Sequence, residues 1–414
     1  RAFTNPFLSP SLPSSLSSKG GNPVTIFHFP GNNGKRRIPS SELRSKLAKT
    51  CPWESVISYS GYDYKNCQSN VESFHVGNGG KDVGETNRIW FYMPNGEEVS
   101  YCAHAAMAAC SVLKQYEDDI KDGAARRHST VQVDNSAIRF VTGIISDDEE
   151  EGVDAPLLEN IARVQTKTSD SNDDQQQQQH NEFNEVTLQM SSALHEEPVN
   201  RDNVLKLLDQ VGLSYDDVIT SNSNLPSFIN SSVARHKTLV PIKKSMLNSA
   251  TNPKNAILFR NLCDEIQSTG LYLYTPCSPL DSSLSSSSSS LYECRQFPRF
   301  SGYPEDPATG IAAAALANSL FSRGISCSCN ELESDSSYND STNDGAVMLE
   351  TDTTEASSLL YELFQGVAMG KPSRIKIRID FKKGKDHNGY DYKNNLTLSC
   401  SGIVEIDSIH EIKI

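Results

Sequence analysis

The chain lacks C-x-x-C pairs, long apolar runs and any excess of positive charge, and each absence removes a class of function. Ten cysteines are scattered over 414 residues, and only Cys327 and Cys329 stand close together. A zinc site or a dithiol redox centre needs tighter, repeated spacing. Scattered cysteines in a chain of this size read as reduced, mostly buried thiols, which sets the expectation of a cytoplasmic protein. The longest wholly apolar run, IAAAALA at 311–317, falls far short of the roughly 20 residues of a membrane span. With 38 Lys and Arg against 52 Asp and Glu, the net charge is −14 and the pI near 5.2. Nucleic acid and anionic membrane both require a basic surface, so neither is expected as a partner. The one loop that could be taken for a phosphate cradle, YPEDPATG (303–310), is followed by no Lys-Ser/Thr pair.

Four stretches are too polar to enter a core: SPSLPSSLSS (9–18), the acidic and Gln-rich 146–183, SPLDSSLSSSSSS (278–290) and the Ser/Asp/Asn-rich 327–346. Such composition buries too little apolar area to offset ordering entropy, so all four are expected to be disordered loops. A smaller folded core is thus inflated by insertions. The expected organisation is a first half over 1–145, rejoined by a C-terminal strand within 398–414, an insertion at 146–184, and a second half over 185–397.

Between these stretches strands alternate with helices. SELRSKLAKT (41–50) reads as a short amphipathic helix stopped by Cys51-Pro52. ESVISY, VESFHV (71–76) and RIWFYM read as strands, and the Pro-Asn-Gly turn at 94–96 leads into another at 97–101. NAILFRNLCDEIQSTG (255–270) reads as a helix with Gly270 as its stop, followed by the strand LYLYTP. RIKIRIDF (374–381) alternates cleanly, with Ile375, Ile377, Ile379 and Phe381 on one face. SGIVEIDSIHEIKI (401–414) supplies one or two more strands.

A faint internal repeat stands out. VSYCAHAAMAACSVL (99–113) and YPEDPATGIAAAALANSLF (303–321) each pair a short loop with a helix of small apolar residues that has no polar stripe. A helix apolar all round is one buried all round. The second carries a start signature, with Asp306 as cap and Pro307 as first helical residue. The expected fold class is therefore α/β with mixed sheets, in two pseudo-symmetric halves that each wrap a sheet around a central buried helix. Helix N-termini carry unpaired N–H groups and partial positive charge. Two of them facing one cleft would cradle a small carboxylate, with His104 on one side and Glu305 and Asp306 on the other.

The segments GGNPVTIF (20–27), EVSYCAHAA (98–106), EDPATGIAAAALA (305–317) and QGVAMGKPSRIKI (365–377) resemble, in this order, the PhzF family of phenazine-biosynthesis-type isomerases. AFTNPF (2–7) is similar to that family's first strand. The resemblance spans the chain outside the low-complexity insertions, and Glu-Asp-Pro-Ala-Thr-Gly before an Ala-rich helix is its most specific part. It implies a diaminopimelate-epimerase-like fold and a cofactor-free proton transfer on a small carboxylate-bearing metabolite. It also implies Glu54 as general acid/base, with His104 and Asp306 as its active-site partners. A closed cleft beside a second carboxylate would raise the pKa of that glutamate, which suits both giving and taking a proton. Backbone around Ala103, Ala105, Thr309, Gly310 and Ile311 would receive the carboxylate, and Asn22 fixes the turn before the second strand or touches ligand. No metal or organic cofactor is implied, and proteins resembling this one are commonly homodimers.

The chain departs from the family pattern at several points. Family members read Ser-Glu-Thr where this chain reads Trp53-Glu54-Ser55, and Cys-Gly-His-Ala-Thr where it reads Cys102-Ala103-His104-Ala105-Ala106. Ile311 stands in place of a serine. The proton-handling trio survives while the pocket walls change, so the expectation is an isomerase of altered substrate. The alternative is a non-catalytic protein that binds a metabolite or a protein partner. A two-thiol racemase would need a cysteine in each loop, and EDPATG has none; Cys102 reads as a packed thiol.

Overall fold

The computed structural model describes residues 2–5, 22–29, 39–62, 86–99, 101–124, 137–142, 158–168, 182–220, 224–277, 290–299, 303–325, 356–382 and 396–406. Up to Met190 the chain forms β1 (Ala2–Asn5), β2 (Asn22–Phe29), α1 (Ser41–Ala48), β3 (Ser55–Tyr62), β4 (Thr86–Tyr92), β5 (Glu98–Val99), α2 (Ala103–Ala124), β6 (Ala137–Thr142), β7 (Leu158–Thr168) and β8 (Glu182–Met190). Then follow β9 (His195–Pro198), α3 (Arg201–Gln210), β10 (Ile229–Ser232), β11 (Lys237–Pro241), α4 (Lys244–Leu247), α5 (Ala256–Glu265), β12 (Gly270–Pro276) and β13 (Ser290–Pro298). The last elements are α6 (Gly310–Ser322), β14 (Ala356–Gln365), β15 (Ser373–Lys382) and β16 (Thr397–Ile406).

One mixed sheet runs β1-β2-β3-β4-β6-β7-β8-β16-β15-β14-β13-β12-β11-β10-β9, and β16 also pairs with β1. Strands β1, β2, β3, β4, β6, β7, β8 and β16 therefore close on themselves, with β5 outside the ring on β4. The α2 helix passes through this ring and packs against every one of its strands. Only small residues let a helix sit so deep. Ala105, Ala106, Met107, Ala108, Ala109 and Cys110 are all fully buried. The outer wall of the ring packs Ile57, Trp90 and Tyr92 against α1.

From β15 to β9 the sheet is open among the described residues, and helices cover both faces. Strand alternation sorts the side chains: Tyr272 and Tyr274 of β12 join the core around α6, while Leu271 and Leu273 join that of α3 and α5. The α6 helix is buried from Gly310 through Leu320 and touches α2 where the two parts meet. On β15, Ile375, Ile377 and Ile379 are fully buried, as their alternation requires.

The structure corrects four expectations. The α6 helix starts at Gly310 with Thr309 as cap, not at Asp306-Pro307, because Asp306 spends its backbone N–H on the carbonyl of Gln296 at 2.9 Å and its carboxylate on loop closure. The α5 helix ends at Glu265, and Gln267 takes the left-handed turn at φ 55°. Gly270 instead opens β12 at φ 147°, where a Cβ would lie 2.5 Å from the carbonyl oxygen of Phe297. Within 146–184 the chain forms β7, with Ala162 and Val164 buried inside the ring. Strands β7 and β8 extend the first part well past residue 145. The expected strand at 71–76 and most of the low-complexity stretches lie outside the described residues. Seven described cysteines are free thiols, six of them buried. Among the described residues, no helix is long and apolar enough to cross a membrane.

Candidate active site

A cavity of about 240 Å³ lies where the ring meets the open part of the sheet. The N-termini of both central helices reach it, through Ala103 of α2 and through Thr309, Gly310 and Ile311 of α6. The Thr309 side chain makes no capping bond to the helix, so the first-turn N–H groups are left for a ligand. Glu54, His104 and Asp306 line the same cavity. The residues expected to do chemistry, separated by as much as 252 positions (306 − 54), thus converge.

Glu54 sits just ahead of β3, whose position is fixed by parallel pairing with β2. It is 5% exposed. One carboxylate oxygen accepts a hydrogen bond from the Tyr303 hydroxyl, and the other has no side-chain partner among the described residues. Burial pushes its pKa above the usual carboxylate range, with Asp306 acting in the same direction and His104 and Tyr303 against it. Trp53, beside it, turns its indole N–H to the Thr25 hydroxyl at 2.9 Å and so braces β2.

His104 stands in the first turn of α2, with Nδ1 3.4 Å from the Cys102 sulfur. Burial alone would lower its pKa. Cys102, then Glu54 and Asp306, outweigh burial and push it up to about 9, so the imidazole carries charge at neutral pH. Cys102, read from sequence as packed, is buried and also lines the cavity.

Asp306 is held from three sides. Asn22 of β2 donates to Oδ1 at 2.8 Å, the Ala308 N–H donates to the same oxygen at 3.0 Å, and the Thr309 hydroxyl donates to Oδ2 at 2.6 Å. Asn22 does not line the cavity, and its bonds to Asp306 and to the Ala308 carbonyl tie the two parts of the fold together at the site. Ala105 faces the core, fully buried, and does not line the cavity.

Several participants were not foreseen. Gln365 donates to the Asp306 carbonyl at 2.6 Å and accepts from the Thr309 N–H at 3.3 Å, fixing the loop that starts α6. Glu305, expected to face the ligand beside Asp306, instead does not line the cavity and forms a two-point ion pair with Arg295, at 2.8 and 2.7 Å, behind that loop. Tyr303, Arg235 and Lys237 line the cavity. The Glu-Asp-Pro-Ala-Thr-Gly motif contains Glu305 and points at its neighbour Tyr303, whereas nothing local marks Arg235 or Lys237. Among the described residues, no group of three or more His, Cys, Asp or Glu is placed to hold a metal ion.

No family model and no curated protein matches the chain by sequence. Solved structures do match. A phenazine biosynthesis protein of the PhzF family from Bacillus anthracis aligns over 100% of this chain and 98% of its own, at 15% identity and a TM-score of 0.54. A predicted epimerase from Pseudomonas aeruginosa aligns over 100% and 99%, at 14% identity and a TM-score of 0.52. At that identity the likeness is one of fold. The chain has a mixed α/β fold similar to these two proteins over its whole length.

Proposed function

We propose that the protein is an isomerase that removes a proton from a carbon of a small carboxylate and returns it elsewhere. The carrying observation is that a buried carboxyl of raised pKa, a charged imidazole and a fixed aspartate meet in one cavity between two helix N-termini. The second oxygen of Glu54 takes the proton while Tyr303 steadies the other. As the carbanion forms, negative charge spreads into the substrate carboxylate, where first-turn N–H groups of α2 and α6 stabilise it. His104 donates a hydrogen bond to a substrate hydroxyl or amine, and Asp306 keeps the loop and the imidazolium in place. Glu54 then gives the proton back, and no cofactor is required in this sequence. A phenazine biosynthesis protein and a predicted epimerase among the fold neighbours agree with chemistry of this type.

The test needs no known substrate. The protein is incubated in D₂O with small cyclic and α-amino carboxylates, and C–H exchange is followed by proton NMR beside Glu54→Gln. Exchange by the parent with a loss of about 10²–10⁴-fold in the variant is expected for a general acid/base. A second reading, a binding protein without catalysis, draws on Ile311, which presents a branched alkyl group at the cavity where the resembled family has a serine. It predicts ligand binding with no exchange in either protein.

A further inference from the structure

Two cations on the cavity wall play no part in the proton transfer. Arg235 sits in the hairpin between β10 and β11, and Lys237 is the first residue of β11. Lys237 is 4% exposed, and among the described residues the only hydrogen bond of its ammonium goes to the Thr269 carbonyl at 3.2 Å. An ammonium has three donors, so two lack a partner there. The Arg235 Nε is sealed from solvent without a hydrogen-bond acceptor among the described residues.

Neighbouring arginines are treated differently. Arg295 is clamped by Glu305, and Arg299, which also lines the cavity, is held by Asp264. Three carboxylates, Glu54, Glu97 and Asp306, share the cavity lining with Arg235 and Lys237, and none has a hydrogen bond or ion pair to either cation among the described residues. Asp306 is close enough to be felt electrostatically, but both its oxygens are taken by Asn22, Ala308 and Thr309. Glu97 stands exposed on the cavity wall and accepts from the Asn95 amide. A buried cation without a counter-ion is costly, and proteins normally supply one. Burial, with Arg235 adding to it, pulls the Lys237 pKa down to about 7, as expected for an ammonium short of a partner.

We propose that Arg235 and Lys237 form a second anion subsite, so that the substrate is a small diacid held by one carboxylate at the helix N-termini and by the other at this pair. The proposal rests on the isomerase reading for the placement of the first carboxylate. A cavity of about 240 Å³ has room for a compact diacid.

The test is calorimetric titration of the full chain near pH 6 with succinate, glutarate and adipate, each against its monoamide. The parent should bind at least one diacid about tenfold or more tighter than its monoamide, the value of one charge-assisted contact. Arg235→Gln and Lys237→Met should each bring that ratio to about one, while Arg235→Lys retains part of it. Equal affinities in the parent, no binding of any diacid, or a preference that survives in both variants would overturn the subsite. Glu54→Gln is titrated alongside to separate the two readings. A diacid preference without C–H exchange by the parent sinks the isomerase and keeps the subsite, and exchange without that preference does the reverse.

Discussion

Glu54 and Lys237 are buried in the same cavity, and burial drives both toward their neutral forms, one pKa upward and the other downward. For Lys237 the consequence for stability can be signed. Above about pH 10.5 neither the folded nor the unfolded chain carries the charge, and the cost of burying it vanishes. Between 10.5 and about 7 the unfolded chain takes up a proton that the fold refuses, so stability falls as pH falls, by about 1.4 kcal/mol per unit. Lys237→Met should therefore melt higher than the parent at pH 6, with the gap closing toward pH 10. An equal gap at both pH values would mean that packing, not charge, is responsible. His104 has the opposite sign: its folded pKa, about 9, lies above the ordinary 6.5, so its contribution is full below 6.5 and lost through 9. The rate of C–H exchange with a monocarboxylate should rise as Glu54 ionises, above the ordinary carboxylate range, and fall near 9 as His104 loses its proton. A falling limb unmoved in His104→Gln would rule out His104 as its source. His104 and Asp306 were legible as candidates because each lies in a motif, and Glu54 because it follows the first helix, where the resembled family has its glutamate. Arg235 and Lys237 were not, since SSVARHK reads as an ordinary polar turn until folding brings β11 to the cavity.

At the scale of elements, the loop from Tyr303 to Gly310 is built from behind. Arg295 bonds Glu305 and also donates to the carbonyls of Leu247 and Ala250, at 3.1 and 2.6 Å, so one buried guanidinium joins β13, the α4 region and the loop. Glu305→Ala strands that charge and should cost roughly 3–5 kcal/mol in urea unfolding. A loss below about 1 kcal/mol would show the pair to be dispensable. Gly366 supports the loop from the other side. Its φ is 76°, and a Cβ there would lie 2.2 Å from the Lys371 carbonyl oxygen and 2.9 Å from that of Pro307. Gly366→Ala should displace Pro307, slow exchange and cost roughly 1–3 kcal/mol. The helices themselves were easily read, because an all-small apolar run has only one stable place. Their ends were not. Asp-Pro is a cap signature, yet Asp306 gives its carboxylate to the Thr309 hydroxyl and the Ala308 N–H, and the helix begins only afterwards. The 158–168 strand was hidden in the same way: Ala162 and Val164 alternate with exposed Arg163, but acidic and Gln-rich neighbours mask the period.

For the whole molecule, the sequence repeat pointed to two like halves, while one part closes into a ring and the other stays open among the described residues. Closure depends on pairing between β1 and β16 at opposite ends of the chain, the return of a C-terminal strand to the first half expected from the sequence, although no local pattern encodes its register. What local pattern does show is where the chain tolerates excess. Strands β12 and β13 pair antiparallel from Gly270 with Pro298 to Pro276 with Tyr292, so the two strand ends that the serine run connects in sequence are already adjacent. Thr269 and Pro298, at the first end of that hairpin, line the cavity. The serine run leaves from the other end, about 20 Å away at roughly 3.3 Å per residue. Loop-closure entropy changes by only about 0.6 kcal/mol per halving of length. Replacing 279–288 by a short turn should therefore raise stability by about 1 kcal/mol or less and leave exchange and diacid binding unchanged. A large fall in melting temperature would show that the run packs against the fold. Unaltered melting with lost exchange would place it over the cavity, against the direction in which β12 and β13 run.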